Sequence, residues 1–546
     1  MRYVEGNDVV ARRRTKRLTA ALPLLAAALV LAGCEGDDGR DGEDGAPGAA
    51  GQDGLNSLVR TVTLPKGDAT CPGGGVVFES GLDQNRNGSL DDAEVTSREF
   101  LECGTAPRLR ALHASPDAPK VDILVNGTRA LSGVDFTDGS GFLPVAEATQ
   151  VQVEAIIPSG NQVVIDERLA LEFGSDYTVI AVGDTAAIAP LVISNPTNAP
   201  LASGNFRAQV VHAAPEAPAV DVFVTAPGAS LAASAPVNDG PLAFQGSTRP
   251  VEAAAGTYQI RVTAAGNPSA VVFDSGEISL PAGADLLAVA VENTGPGATP
   301  IQLVLMDGTG ATDLLDAGTP ASVVAVHASP DAPAVDILAD IRTTPADEAA
   351  ALARNVAFAQ ACEISEVPAP GEYGLSVTAA GNPSVVALEF DLDVAQGDEL
   401  TAIVSGFLGG GTPAIQPLPL VNDRRGVVTE TKLRVTHGSP STPAVDLYLL
   451  PDGASLAAAT PAFAAVPFGA DTGILSIAPG VYDVYVTPAG DKGVVAIEVQ
   501  NLALAGGSVL DVIARDARAD GSEGALPQLV VVDYSTVGAC PTTPVT

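Results

Sequence analysis

The sequence predicts an all-β protein whose body is four β-sandwich domains in tandem. The main observation is a ten-residue phrase that occurs four times, each copy opening on one of the chain's four histidines. The copies read HASPDAPKVD from His113, HAAPEAPAVD from His212, HASPDAPAVD from His327 and HGSPSTPAVD from His437. Successive copies are 99, 115 and 110 residues apart, which is the length of one domain. The 57 glycines and 42 prolines indicate many turns between short strands.

Composition limits the kinds of core and partner. Hydrophobic residues make up 46% of the chain, but Trp is absent and aromatic residues are only 4%. The cores must therefore consist mainly of Val, Ala, Leu and Ile. The formal net charge of −37 favours solubility and cation binding, and it argues against nucleic acid or anionic lipid as a partner.

The N-terminus has the order of an export signal. Five basic residues from Arg12 to Arg17 precede an apolar run over 18–31, which is short for a membrane span and typical of a signal-peptide core. The run ends in Leu-Ala-Gly-Cys34, which resembles the lipobox of bacterial lipoproteins. The resemblance implies a signal peptide over 1–33 and an acylated Cys34 that contacts the bilayer. We therefore expect a lipid-anchored protein of the bacterial cell envelope, on the outer membrane or cell surface. An ordinary secretory signal with a chance cysteine is the alternative.

Residues 34–54 contain a spacer in which glycine falls at every third position from Gly36 to Gly54. This period resembles collagen, where only Gly fits the crowded axis of three wound chains. Seven glycines and the single Pro47 are few for a stable triple helix. An extended, solvated spacer and a weakly associated trimer are the two interpretations.

Residues 55–104 form a small module around a twelve-residue loop. Oxygen-bearing side chains occupy the ligand positions of an EF-hand-type calcium loop, and Gly88 occupies its sharp turn. A metal-free Asx turn is the alternative. The expected ligands of one calcium ion are Asp83, Asn85, Asn87, the Ser89 carbonyl, Asp91 and Glu94.

Two cysteines, Cys71 and Cys103, flank this loop. We expect them to form a disulfide in the oxidising envelope, because a piece of about 50 residues is too small to be secure alone. The order of GLNSLV, cysteine, glycines and loop is similar to a small module found beside collagen-like runs in bacterial surface lipoproteins.

The four repeats share an order of strands and turns. In the second, strands over 207–212 and 220–224 flank a break made by two prolines, which cannot donate to a ladder. From Gly256 onward, apolar and polar residues alternate with the period of a half-buried strand. The same pattern follows Gly371 and Gly480, and each of the three strands has a tyrosine two residues after its glycine: Tyr258, Tyr373 and Tyr482. The first repeat has Thr149 in place of this tyrosine.

About seven strands in ~100 residues predict an immunoglobulin-like β-sandwich for each repeat. Linkers rich in Gly, Pro, Asn or Asp are expected at 195–204, 307–320 and 419–431. A helical insertion is expected in the third repeat, from the cap Thr344 to about Arg354. The resulting boundaries are 105–196, 205–306, 321–418 and 432–535, followed by a tail at 536–546.

The phrase His-x-x-Pro-x-x-Pro-x-Val-Asp resembles the signature of an uncharacterised family of extracellular bacterial and archaeal β-domains. These domains often occur in tandem and are known only as a domain of unknown function. The resemblance extends over residues 106–535. It implies a fold and an extracellular location, but no activity.

The histidine and aspartate of each phrase form a recurring pair. Such a pair could ligate a metal or act as a general base with its orienting carboxylate. Zinc would need further ligands, however, and no other histidine or recurring nucleophile accompanies the pairs. We predict a structural role, in which the imidazole bonds the aspartate or the backbone at a buried bend. The pairs are His113/Asp122, His212/Asp221, His327/Asp336 and His437/Asp446.

Cys362 and Cys540 lie outside the repeat pattern. They either pair and tie the tail to the third repeat or remain buried thiols.

Together these features predict a non-catalytic structural or adhesive surface protein whose ligand, if any, is a surface glycan or a protein. A carbohydrate- or polymer-binding protein is the alternative, although the lack of Trp counts against sugar stacking. An enzyme is the third hypothesis, because no triad, acidic dyad or cofactor motif stands out.

Overall fold

The computed structural model describes residues 55–65, 68, 70–71, 74–103, 105–197, 199–341, 350–524 and 526–542. The predicted signal peptide, Cys34 and the glycine-period spacer lie outside these residues. The described chain contains strands and four single 3₁₀ turns, so the all-β prediction is confirmed. No helix in the described ranges is both long and apolar enough to cross a membrane. The 3₁₀ turns are Asp92–Glu94, Thr185–Ala187, Leu231–Ala233 and Leu456–Ala458.

The chain divides into two compact units. One contains the described residues up to Leu58 together with 81–95, and the other contains 59–80 and the described residues from Thr96 onward. The small module has one three-stranded sheet in the order β1-β2-β3. Its strands are β1 (Ser57–Leu64), β2 (Gly75–Leu82) and β3 (Val95–Cys103).

Two four-stranded sheets form the first repeat, in the orders β11-β10-β4-β7 and β6-β5-β8-β9. The strands are β4 (Arg108–His113), β5 (Val121–Val125), β6 (Thr128–Val134), β7 (Leu143–Pro144), β8 (Ala148–Ala155), β9 (Gln162–Ala170), β10 (Ser175–Val182) and β11 (Ala189–Pro196).

The second repeat has a five-stranded sheet, β14-β12-β17-β18-β19, and a three-stranded sheet, β13-β15-β16. The strands are β12 (Asn205–His212), β13 (Val220–Thr225), β14 (Val251–Ala254), β15 (Gly256–Ala264), β16 (Val271–Leu280), β17 (Asp285–Glu292), β18 (Ile301–Met306) and β19 (Ala311–Leu314).

The third repeat consists of the sheets β23-β20-β26-β27 and β22-β21-β24-β25. Its strands are β20 (Ala321–His327), β21 (Val335–Ile341), β22 (Ala350–Val356), β23 (Ala361–Val367), β24 (Gly371–Ala379), β25 (Asn382–Val394), β26 (Glu399–Ser405) and β27 (Gln416–Val421).

The fourth repeat has the sheets β31-β28-β34-β35 and β30-β29-β32-β33. Its strands are β28 (Thr431–His437), β29 (Val445–Pro451), β30 (Phe463–Val466), β31 (Leu475–Ile477), β32 (Gly480–Pro488), β33 (Ile497–Leu504), β34 (Val509–Arg515) and β35 (Gln528–Asp533).

The repeated phrase is the segment that carries the chain from one sheet of a repeat to the other. The strand before it ends at the histidine and belongs to the first sheet, while the strand after it belongs to the second. Its prolines suit this crossing because they cannot continue a ladder. Each histidine strand also pairs in parallel with a later strand of its own sheet, as β4 does with β10, β12 with β17, β20 with β26 and β28 with β34.

The repeats do not bury all their apolar surface inside separate sandwiches. One core cluster joins Leu112 and Ile180 of the first repeat to Leu287, Val289 and Met306 of the second. A second cluster joins the third repeat to the fourth, with Ile403 and Ile513 at its centre. The first and second repeats thus pack together, as do the third and fourth. The result is visible in β20, where every residue is buried, as in a strand covered on both faces.

The predicted linkers contain ordered strand. Strand β19 lies inside the expected linker 307–320 and pairs with β18, because Leu314 packs against the core of the second repeat. Strand β27 likewise extends to Val421, inside the expected linker 419–431.

The predicted helix in the third repeat is wrong over the part that the structure describes. Residues 342–349 lie outside the described ranges, but β22 (Ala350–Val356) is a strand paired with β21. Ala353 and Val356 are buried in the core there, so tertiary packing overrides the local helix signals.

The open question about the last two cysteines is answered by a disulfide between Cys362 and Cys540. Both are buried, and the backbone N–H of Cys540 donates to the carbonyl of Glu363. The bond ties the C-terminal tail to β23 of the third repeat.

Candidate functional site

The four histidines occupy one geometry, which we call the histidine corner: the histidine, the proline six residues later and the aspartate nine residues later. Each side chain is 1–3% exposed. In each corner the Nε2 atom faces the carbonyl oxygen of that proline. The distances are 3.0 Å from His113 to Pro119, 3.1 Å from His212 to Pro218, 2.8 Å from His327 to Pro333 and 3.1 Å from His437 to Pro443.

The imidazoles are in their neutral form at pH 7. Burial lowers the pKa of each of the four below the ordinary value, and this effect outweighs the opposing hydrogen bond to the backbone. Nε2 therefore carries the proton and donates to the proline carbonyl. In two corners the Nδ1 atom accepts an N–H at 3.3 Å, from Ser115 and Ser439. We expected each imidazole to bond either the aspartate of its phrase or the backbone, and in the structure its Nε2 bonds the backbone.

Each aspartate of the phrase makes different bonds. The Asp336 carboxylate accepts the N–H of Asn355 at 2.7 Å and the N–H of Gly381 at 3.0 Å. Asn355 and Gly381 both have positive φ, a conformation costly for a non-glycine residue, and the carboxylate stabilises it. The equivalents are Asp446 with Ala465 and Gly490, Asp221 with the Asn238 amide and Gly266, and Asp122 with Gly133 and Arg129.

A phenylalanine completes every corner, and sequence reasoning missed it. Its ring meets the imidazole edge to face, with centroids 5.8–6.5 Å apart. The N–H of the residue after it donates to the carbonyl of the histidine. The only sequence signal is a Phe 23 to 32 residues downstream of each His. The rings are Phe136, Phe244, Phe358 and Phe468.

This arrangement of the corner favours a structural role over a catalytic one. The imidazole proton is held by a carbonyl, the carboxylate oxygens by N–H groups, and the ring is covered. A general base needs access to a substrate proton, which the buried corner does not offer.

The predicted calcium loop folds around its acidic residues. Asp83 and Glu94 are 2% and 4% exposed. Asp83 accepts the N–H groups of Asn87 and Gly88, and Glu94 accepts those of Gln84, Asn85 and Asp91. Gly88 has φ +78°, as the turn requires.

The remaining predicted ligands lie on the same loop. The amides of Asn85 and Asn87 both donate to Oδ2 of Asp91, at 2.7 and 3.0 Å. The side-chain oxygens of Asn85 and Asn87 accept N–H groups of the loop itself. The predicted oxygens are thus gathered in one loop, and hydrogen bonds among the loop's own groups fix their arrangement.

Cys71 is disulfide-bonded. The side chain of Cys103, its expected partner, lies outside the described residues, so this pairing stays a prediction.

Comparison with protein families assigns most of these segments to domains without known function. Residues 107–223 and 321–448 match the model of a domain of unknown function (DUF4397), and residues 56–102 match a second one (DUF7151). Each DUF4397 match begins at a histidine strand and ends beyond the next histidine corner. No curated protein matches the chain.

Proposed function

We propose that this chain, which carries a repeated DUF4397 domain, is a non-catalytic structural or adhesive protein of the bacterial cell envelope, anchored through an acylated Cys34. The observation that carries the proposal is the histidine corner. Its four histidines are all buried, and the Nε2 atom of each donates to a backbone carbonyl of its own repeat. An element built four times in this way serves to hold a scaffold together.

Two further features support a protein that resists proteolysis in an oxidising compartment outside the cell. The shared cores of paired repeats join neighbouring sandwiches into larger bodies, which resist proteolysis better than separate small domains. The buried Cys362–Cys540 disulfide is typical of oxidising compartments.

We also propose that the loop of the small module binds one calcium ion. Asp83, Asn85, Asn87, Asp91 and Glu94 would supply side-chain oxygens and Ser89 its carbonyl, which is the hard donor set that calcium prefers. The ion would neutralise acidic side chains on a chain with a large negative charge. Its role would be to stiffen the small module.

The anchor is tested by growing cells with radiolabelled palmitate and recovering the wild-type protein and the Cys34→Ser variant. We expect label and membrane association in the wild type, and neither in the variant. An unlabelled wild-type protein would refute the anchor.

The choice between scaffold and carbohydrate receptor is tested with the purified exported region on a glycan array. The scaffold hypothesis predicts no saturable binding of neutral glycans. Saturable binding of a neutral glycan that a single loop substitution abolishes would establish the alternative.

A further inference from the structure

A cleft of about 360 Å³ lies between the first and second repeats. It is within the usual range for small-ligand sites and is lined by charged groups from both repeats. Arg108, Arg110 and Arg207 contribute three cations, and Asp176, Asp285 and Asp307 contribute three carboxylates.

Arg110 is the unusual member of this set. It is only 6% exposed, its Nε donates to Thr178 Oγ1 at 2.8 Å, and its Nη1 has no hydrogen-bond partner among the described residues. Burial lowers its pKa to about 10, so the guanidinium stays charged at neutral pH. The Phe142 ring lies 4.5 Å from it. A buried cation with an unpaired donor is costly unless something binds it.

The other charged groups of the cleft already have partners. Asp176 binds Arg108 through two hydrogen bonds of 2.7 and 2.6 Å. Asp285 binds Arg207 at 3.0 Å. Asp307 accepts from the N–H and hydroxyl of Thr309.

The fourth repeat contains an equivalent arginine that has a carboxylate partner. Arg434 stands three residues before its histidine, as Arg110 does. The residue paired with Arg434 across the parallel strands is Asp511, whereas the residue paired with Arg110 is Thr178. Asp511 holds Arg434 with a fork of 2.9 and 2.5 Å. The space around that fork is only about 10 Å³.

We propose that the cleft between the first and second repeats binds a small organic monocarboxylate, such as a sugar acid, whose carboxylate gives Arg110 the anionic partner that Asp511 gives Arg434. Thr178, at the position equivalent to Asp511, leaves Arg110 without a carboxylate of its own. The three aspartates in the walls disfavour a second negative charge on the ligand, so phosphate and dicarboxylates bind more weakly. The proposal is independent of the anchor and of the scaffold role.

The experiment is calorimetric titration of the full mature chain at pH 7 with D-glucuronate, acetate, D-glucose and inorganic phosphate. We expect glucuronate to bind and glucose not to bind. Arg110→Gln and Thr178→Asp should each weaken glucuronate binding by about tenfold or more, the latter because its own carboxylate pairs with Arg110 as Asp511 pairs with Arg434. Arg168→Gln, an exposed arginine on β9, is the matched control and should bind like the wild type.

Circular dichroism and melting accompany each titration. Thr178→Asp should stay folded and melt no lower than the wild type. If Arg110→Gln fails to fold, the glucuronate affinity of Thr178→Asp tests the proposal. The proposal is overturned if neither glucuronate nor acetate binds the wild type at millimolar concentration. It is also overturned if phosphate binds more tightly than glucuronate, if Thr178→Asp binds normally, or if Thr178→Asp unfolds.

Discussion

The Nε2 atom of His327 lies 2.8 Å from the carbonyl oxygen of Pro333, six residues along the chain. The same bond occurs in the other three repeats, at the point where the chain leaves one sheet for the other. A proline-containing crossing frees a carbonyl from the ladder, and a buried neutral imidazole satisfies it.

The first prediction concerns pH. Because burial lowers the pKa of all four histidines, the unfolded chain binds more protons than the folded chain below the unfolded value of about 6.5. Stability should therefore be full above about pH 6.5 and should fall as the pH drops below it. Each histidine contributes at most about 1.4 kcal/mol per pH unit. Urea unfolding between pH 7.5 and 5 measures the slope, and a flat profile would contradict the buried neutral state.

A second prediction concerns the phenylalanine of the corner. In the third repeat Phe358 packs edge to face on His327, and the guanidinium of Arg515 lies 4.6 Å from its ring. Phe358→Ala should destabilise by about 2–4 kcal/mol, because it removes a packed ring and uncovers the imidazole. Phe390, a half-buried ring on the core of the same repeat but outside the corner, provides the control Phe390→Ala. Equal losses of unfolding free energy for the two variants would show that the contact of Phe358 with His327 adds no stability.

A third prediction concerns the calcium loop. Calcium should raise the melting temperature of the wild type, and chelation should reverse the rise. Glu94→Gln and Asp83→Asn should weaken binding strongly, since each removes a charged ligand. Asp92→Asn is the matched control, because Asp92 is exposed and outside the ligand set. Calorimetry that finds no calcium binding to the wild type would leave the Asx-turn alternative.

A fourth prediction concerns Arg425, in the segment between the third and fourth repeats. It is 9% exposed, and it donates to the carbonyls of Pro116 and Ala118 and to Asp135 of the first repeat. Arg425→Ala should cost about 3 kcal/mol, because two buried carbonyls lose their donor and the Asp135 carboxylate loses the nearer of its two cations. Arg249→Ala, at a salt bridge to Asp239 in which both side chains are exposed, should cost far less. Denaturant unfolding of both variants makes the comparison.

Local sequence signals were enough to predict the strands around each phrase and the strands that follow Gly256, Gly371 and Gly480. Prolines and the alternation from Gly256, Gly371 and Gly480 correctly indicated β15, β24 and β32. Both signals act over a few residues, where backbone sterics and burial of one face decide the structure.

Long-range contacts were the part that sequence reasoning missed. Phe136 and Phe358 meet their histidines from different sequence separations, so no fixed spacing marks them. Thr344 and the acidic residues after it resemble a helix start, but the pairing of Ala353 with Ile337 decides for a strand. The burial of both faces of β20 depends on the next repeat and is not a property of its own sequence.

The central claim is that the histidine corners hold the scaffold together. Its most direct test is the free energy of unfolding of His327→Gln, measured by equilibrium denaturation beside the wild type. We predict a loss of about 1–3 kcal/mol in this free energy. An unchanged free energy of unfolding would contradict the claim.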